Sequence, residues 1–174
     1  TVTHAAVHQG RKLLIGFDLE DFFTTIHSAR VIGLFGAMGY HVGETRFSNR
    51  DDSRNVAATL ARLCCFTEDP TEWGAGALPQ GAPTSPAISN LICRRMDARL
   101  HGRAQRLGGS YSRYAVDLAF SCVGLEDRRI GRLRWWVAQI CGQEGFRLNQ
   151  PKFRVVRSSQ RQKVTGIVVN DGLR

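Results

Sequence analysis

Two acids stand where this chain could do phosphoryl-transfer chemistry. Asp18 closes the apolar run Leu13-Leu14-Ile15-Gly16-Phe17 and opens Asp18-Leu19-Glu20-Asp21-Phe22-Phe23; Asp117 lies 99 positions later, in Tyr114-Ala115-Val116-Asp117-Leu118. A carboxylate at the end of an apolar strand is held on rigid backbone, as a metal site requires. Metal-assisted phosphoryl transfer needs carboxylates from separate strands to converge, so that one cation activates the attacking hydroxyl and another holds the triphosphate and the leaving oxygen. Asp18 and Asp117 meet that need if their strands are neighbours. Read singly, each has a plainer role, Asp18 ending a strand and Asp117 serving a turn.

The elements that would position them can be read along the chain. Lys12 to Phe17 has strand length and composition. Ser28 is placed to cap a helix with Val31, Ile32, Phe35 and Met38 apolar and Gly39 closing it. Residues 44–55 are polar and read as a loop. Val56 to Phe66 reads as a helix with Val56, Leu60, Leu63 and Cys64 on one face. Three prolines and three glycines between Gly74 and Pro86 make a structured loop. Ser85 then caps a helix that starts on Pro86, buries Ile88, Leu91, Ile92, Met96 and Leu100, and stops at Gly108-Gly109. Ser110 to Ala115 and Leu118 to Val123 read as a hairpin turning at Val116-Asp117. Asp127 caps a helix with Ile130, Leu133, Val137, Ile140 and Cys141 inward. Phe153 to Val156 and Val164 to Val169 read as a closing hairpin. The order predicts an α+β fold, a small antiparallel sheet backed by helices on one face.

The 174 residues suit one domain with a sizeable core, and 43% hydrophobic with 22% charged residues is ordinary for a globular chain. No stretch approaches the ~18 continuous apolar residues of a membrane span, and no secretory leader pattern opens the sequence. The chain starts on Thr1 and enters a strand within a dozen residues, so it reads as a piece of something longer. A net charge of +9 and a pI near 10.1 point to a polyanionic partner, nucleic acid before an acidic membrane surface, against the plainer reading of an inert basic surface. Five cysteines without CxxC or Cys/His ligand spacing suit a reduced, cytoplasmic chain with buried thiols.

Five blocks in order make a larger pattern. They are Asp18 to Phe23; Leu78-Pro79-Gln80-Gly81-Ala82-Pro83-Thr84-Ser85-Pro86; Tyr111 to Leu118; Glu144-Gly145-Phe146-Arg147-Leu148-Asn149 with Lys152; and Val164-Thr165-Gly166-Ile167-Val168-Val169-Asn170. Any one is a weak match, but five in order over nearly the whole chain are specific. The chain resembles the palm of a reverse transcriptase of the bacterial retron and group II intron type. A retron, intron or phage-defence role stays open, as does the cognate RNA. The resemblance implies an RNA-directed DNA polymerase palm over residues 1–174 with partial fingers, most of the fingers preceding Thr1 and the thumb following Arg174. It implies Mg²⁺ at a two-metal site, an RNA template with a DNA primer or a structured RNA, and deoxynucleoside triphosphates as substrates.

The same resemblance implies residue roles. Asp18 matches the first metal-binding aspartate, and Leu19 offers a backbone carbonyl. Phe23 matches the aromatic that excludes a 2′-hydroxyl; a plain core aromatic is the alternative. Gln80 and Gly81 match the loop lying against the incoming nucleotide and template, the amide donating and accepting while the glycine permits close approach. Lys152 matches a basic residue near the triphosphate; a solvated strand-edge lysine is the alternative. Asp117 matches the second acid of a Tyr-x-Asp-Asp hairpin, and the first falls on Val116. Valine has no lone pair and removes one negative charge from a site for two cations. The implied polymerase is therefore impaired at this position. The alternative function is a catalytically inactive, reverse-transcriptase-like scaffold that binds structured RNA.

Overall fold

The computed structural model describes residues 2–41, 55–68 and 76–170. The expected loop over 44–55 falls outside them except for Asn55, as do Gly74 and Ala75. Two compact units emerge, one of residues 1–20 and 94–174, the other of 21–93.

The first unit is built on strand β1 (Leu13–Glu20), whose residues are buried from Leu13 to Leu19. A strand with both faces covered reads as a continuous apolar run rather than an alternation. One edge pairs antiparallel with β3 (Asp117–Cys122), which pairs in turn with β2 (Ser110–Tyr114). The other edge is shared: β5 (Arg154–Arg157) covers Leu13 to Gly16, and β4 (Arg147–Leu148) covers Leu19 and Glu20. The change of partner falls at Phe17 and Asp18, and there Asn149 N–H donates to the Asp18 carbonyl at 2.8 Å.

Register sorts the side chains of β1 onto two faces. Ile15 and Phe120 face α5 (Arg94–Arg106) and α6 (Asp127–Gln143), meeting Ala104, Leu107 and Leu133. Helix α6 buries Ile130, Leu133, Val137, Ile140 and Cys141, the stripe its sequence predicts. Leu14 faces the other way, into a cluster with Ala5 of α1 (Val2–Ala6), Ala119, Val164 and Val169. This cluster seats the small hairpin β6 (Lys163–Val164) and β7 (Ile167–Val168) on the face that also carries Gly16 and Asp18. Asn170 ties the loop before β6 down: its side chain donates to the Ser158 and Gln160 carbonyls and accepts from Gln162 N–H.

The second unit holds α2 (Ser28–Ala37), α3 (Val56–Cys64) and α4 (Ser85–Ile92). Its loops are stitched by bridges from His27 and Phe66 to Ala77 and by Leu78 N–H donating to the Ile26 carbonyl. Among the described residues, no helix is long and apolar enough to cross a membrane. All five thiols are free, with Cys93, Cys122 and Cys141 buried.

Several local expectations change. β1 runs two residues past Asp18, so this acid lies within the strand and not at its end. The closing hairpin does not form, because β5 pairs with β1 and leaves β6 to pair with β7. The helix from Ser85 breaks at Cys93 into α4 and α5, and Leu91 is exposed. Ser28, Ser85 and Asp127 are first helical residues rather than caps, while His27, Thr84 and Glu126 hold the cap positions without side-chain bonds. The Ser85 hydroxyl instead donates to the Pro79 carbonyl at 2.7 Å, pinning the Pro-rich loop. Helix α3 buries Ala57, Ala58 and Ala61 and exposes Leu63, the face opposite to the expected one, with Asn55 accepting from Ala58 N–H as its cap. Gly108 does end α5 as read. At φ +65° it makes a Schellman closure, Gly108 N–H bonding the Gln105 carbonyl and Gly109 N–H the Ala104 carbonyl, both at 2.9 Å.

Polar groups lie fully inside the first unit, His8 among them. His8 has no exposure, and its ring nitrogens sit 2.7 Å from the hydroxyls of Ser121 and Ser112, on β3 and β2. Burial, with the nearby His4 and Arg11, lowers its pKa to about 4. Between the ordinary imidazole value near 6.5 and 4 the unfolded chain therefore binds the proton and the folded one does not, so stability falls as pH drops through that window. We expect urea midpoints to decline from about pH 7 to 4, and His8→Gln to flatten that part of the profile while lowering the midpoint at neutral pH. An unchanged slope in the variant would remove His8 as the cause.

Candidate active site

Asp18 and Asp117 lie directly opposite each other on β1 and β3. Leu19 N–H donates to the Val116 carbonyl at 3.0 Å, one residue beyond the pair, which makes Asp18–Asp117 a non-hydrogen-bonded pair. In that class the Cα atoms approach to about 4.5 Å and the side chains lie closest. The sequence places the hairpin turn at Val116-Asp117; it forms at Ala115-Val116, with Tyr114 paired to Asp117. That one-residue difference puts Asp117 on the strand, facing Asp18, and leaves Val116 in the turn, half-buried. Ala115 takes φ +50°, a left-handed value that costs about 1 kcal/mol for a residue with a Cβ.

The turn is held from β2. Arg113 grips Asp97 of α5 with two bonds, Nε to Oδ1 at 2.9 Å and an Nη to Oδ2 at 2.8 Å, and donates its other Nη to the Ala115 carbonyl at 3.2 Å. Tyr111 adds its hydroxyl to the same carboxylate at 2.8 Å. The bidentate fork fixes an angle as well as a distance, so helix and turn share one anchor.

Two like charges face to face are destabilising, and two cations answer them. Lys152, at the end of a 3₁₀ turn from Gln150, places Nζ 3.1 Å from Asp18 Oδ1. Arg154 reaches 4.0 Å from Asp117 Oδ1. Its side chain lies over Gly16, where an added Cβ would stand 2.7 Å from Nε, so the glycine makes room for this counter-ion. Asp18 is buried, only 7% exposed, and Asp117 about one-third exposed. Burial pushes the Asp117 carboxyl above its ordinary value; Asp18 pushes the same way, and Arg154 and Lys152 pull it back.

The donor set fits one hard divalent cation. It offers two carboxylates and the Leu19 carbonyl, which leaves the strand on the edge toward the hairpin. It does not supply a second full set, since Val116 has nothing to donate. Among the described residues no three His, Cys, Asp or Glu side chains gather as a metal site.

Asp18, Leu19, Val116, Asp117 and Lys152 therefore come together in the first unit. Phe23, Gln80 and Gly81 belong to the second. Phe23 is half-buried, edge-on to Phe22 at 5.1 Å between centroids. Gln80 and Gly81 form an exposed turn after the buried Leu78, with Gly81 at φ +95°. The arginine beside Asp117 escapes a reading by motif; the glycine at position 16, inside an otherwise apolar strand and in register with Arg154, is the signal that could have found it.

A carboxylate pair on neighbouring strands of a small antiparallel sheet points to a class, and comparison supplies it. The family described as "Reverse transcriptase (RNA-dependent DNA polymerase)" matches residues 1–169, and the chain belongs to it. It is similar to the Retron Mx65 reverse transcriptase of Myxococcus xanthus, 41% identical over 98% of this chain and 39% of that protein. The Retron Mx162 reverse transcriptase of the same organism is 38% identical over 97% of this chain and 36% of its own length. The Retron Ec86 reverse transcriptase of Escherichia coli is 31% identical over 97% of this chain and 46% of its own. The chain thus spans less than half the length of these relatives.

Because the folded state disfavours the ionised Asp117, the folded protein takes up that proton at a higher pH than the unfolded chain. The penalty is full above the folded value and vanishes below the ordinary carboxylate value. Asp117→Asn should therefore raise the urea midpoint at neutral pH in chelator, and the gain should shrink to nothing as pH falls below about 4. A midpoint that drops at neutral pH would mean that Arg154 outweighs burial.

Proposed function

We propose that the chain is the palm core, with part of the fingers, of a retron-type reverse transcriptase, and that Asp18 and Asp117 form its catalytic pair. The single observation that carries this is their facing position in a narrow cross-strand pair. The reaction is template-directed addition of deoxynucleotides to a primer 3′-hydroxyl on an RNA template. When bound, Mg²⁺ supplies Lewis-acid activation of the hydroxyl and charge neutralisation on the triphosphate. Asp18, Asp117 and the Leu19 carbonyl would hold it.

The remaining roles belong to the chain's own side chains. Lys152 sits on Asp18 at 3.1 Å and is itself exposed, so its ammonium can exchange that carboxylate for a phosphate oxygen. Arg154 holds Asp117 in place. Phe23 fills the space beside the sugar's 2′ position and excludes a hydroxyl there. The Gln80 amide and the Gly81 backbone lie against the incoming nucleotide and the template base.

Val116 favours a second reading. With no acid in the turn, and Lys152 already pairing Asp18, the site suits a scaffold that holds structured RNA without polymerising. Primer extension by the intact protein separates the two. Val116→Asp should raise the rate by several orders of magnitude, on the order of 4 kcal/mol of transition-state stabilisation, by completing the ligand set. Comparable extension by the Val116 protein and the variant would refute the missing-ligand account. In the Val116→Asp background, Phe23→Ala should raise the ratio of ribo- to deoxynucleotide incorporation, measured in competition; an unaltered ratio would make Phe23 a packing residue.

A further inference from the structure

Counter-ions are distributed unevenly over the basic side chains of the first unit. Arg95 and Arg99 share the Glu144 carboxylate at 2.9 and 2.7 Å, and Arg113, Arg154 and Arg157 face Asp97, Asp117 and Asp127. Arg103 and Arg106 of α5 and Arg129 and Arg132 of α6 pair with no described acid. Each couple is spaced i, i+3, so each projects from one side of its helix. All four line one groove between α5 and α6, floored by Leu107 and Leu133 and closed by Trp136, with a cavity of about 130 Å³. Arg103 lies flat on the Trp136 ring at 3.6 Å, and Trp135 stands edge-on to Trp136 with half its surface exposed.

We infer that this groove binds a single-stranded RNA segment, on the face of the sheet opposite Asp18 and Asp117. A concave floor with four unneutralised guanidiniums fits a run of phosphates. The flat guanidinium–indole stack and the exposed Trp135 offer planes on which unpaired bases stack. An anionic membrane presents a broad surface, whereas these four guanidiniums line a concave groove. RNA is one of the two nucleic acids named in the description of the family to which the chain belongs, the one on which the polymerase depends. Because α5 and α6 pack on the Ile15 and Phe120 face, RNA held there is outside the polymerising site, and the same strand can be anchored on one face while its end is copied on the other.

The test uses the intact protein and a fluorescein-labelled twenty-nucleotide single-stranded RNA, with the same sequence as DNA and as RNA duplex. Arg106, Arg129 and Arg132 are exposed, so the triple change Arg106→Ser, Arg129→Ser, Arg132→Ser should leave the melting temperature in place. Each phosphate contact on a single strand contributes about 0.7 to the slope of log K against log salt, so the triple variant should lose about 2 from that slope and bind at least about tenfold more weakly at low salt. Trp136→Leu should weaken binding with the slope retained. Photocrosslinking from 4-thiouridine should fall on peptides of α5 and α6. Unchanged affinity and slope in the triple variant, crosslinks confined to other segments, or tighter binding of the DNA or the duplex would each overturn the inference. A parent that binds RNA at α5 and α6 yet extends no primer would fail the polymerase reading and leave this one standing.

Discussion

Two carboxylates held face to face in the closest class of cross-strand pair are a standing electrostatic cost, and much of the first unit is arranged around it. The pair cannot relax apart, because β1 is bonded along both edges and each acid rides on an inflexible strand. Its charge is offset locally. Lys152 comes from the 3₁₀ turn between β4 and β5, which share one edge of β1, and Arg154 lies over residue 16, where a side chain would crowd it. Removing either cation leaves a partly buried acid without compensation.

The two faces of the sheet divide the work. One carries the acids, their counter-ions and the small β6–β7 hairpin seated on Leu14 and Ala119. The other is closed by α5 and α6. The faces are joined by Arg113, whose guanidinium bonds a carboxylate on α5 and the carbonyl of the turn before Val116. A polar link of this kind transmits geometry rather than much energy, since its net worth is modest while its directionality is strict. The strained Ala115 is tolerated because its carbonyl is bonded in this way.

Val116 shows how a fold and its chemistry can part. A β-branched apolar residue in a tight turn perturbs neither the pairing of Tyr114 with Asp117 nor that of Asp117 with Asp18. The scaffold keeps the position of each remaining donor while the donor set falls short of two cations. Membership of the reverse transcriptase family is a statement about the first of these; catalytic competence depends on the second.

Much of this was legible in the residues alone. The stripe of α6, the strand before Asp18, the paired acids and the stop at Gly108 follow from periodicity, apolar run length and a single backbone preference, all local in origin. Five ordered blocks sufficed for the family. The failures were of another kind. Local signals placed Ser28, Ser85 and Asp127 as caps, joined β5 to β6, turned the hairpin one residue late and buried Leu63 in place of Ala58. Competing partners decided two of these outcomes: the Pro79 carbonyl claims the Ser85 hydroxyl, and β1 claims β5. The sequence by itself determined the family, and it named the two acids that the structure sets opposite each other, because those are questions of residue type and order. Only the tertiary structure decided that the acids face each other, which cations stand against them, and that four arginines from two helices share one groove, because register and counter-ion pairing are settled by the competition of distant groups for the same edges and charges.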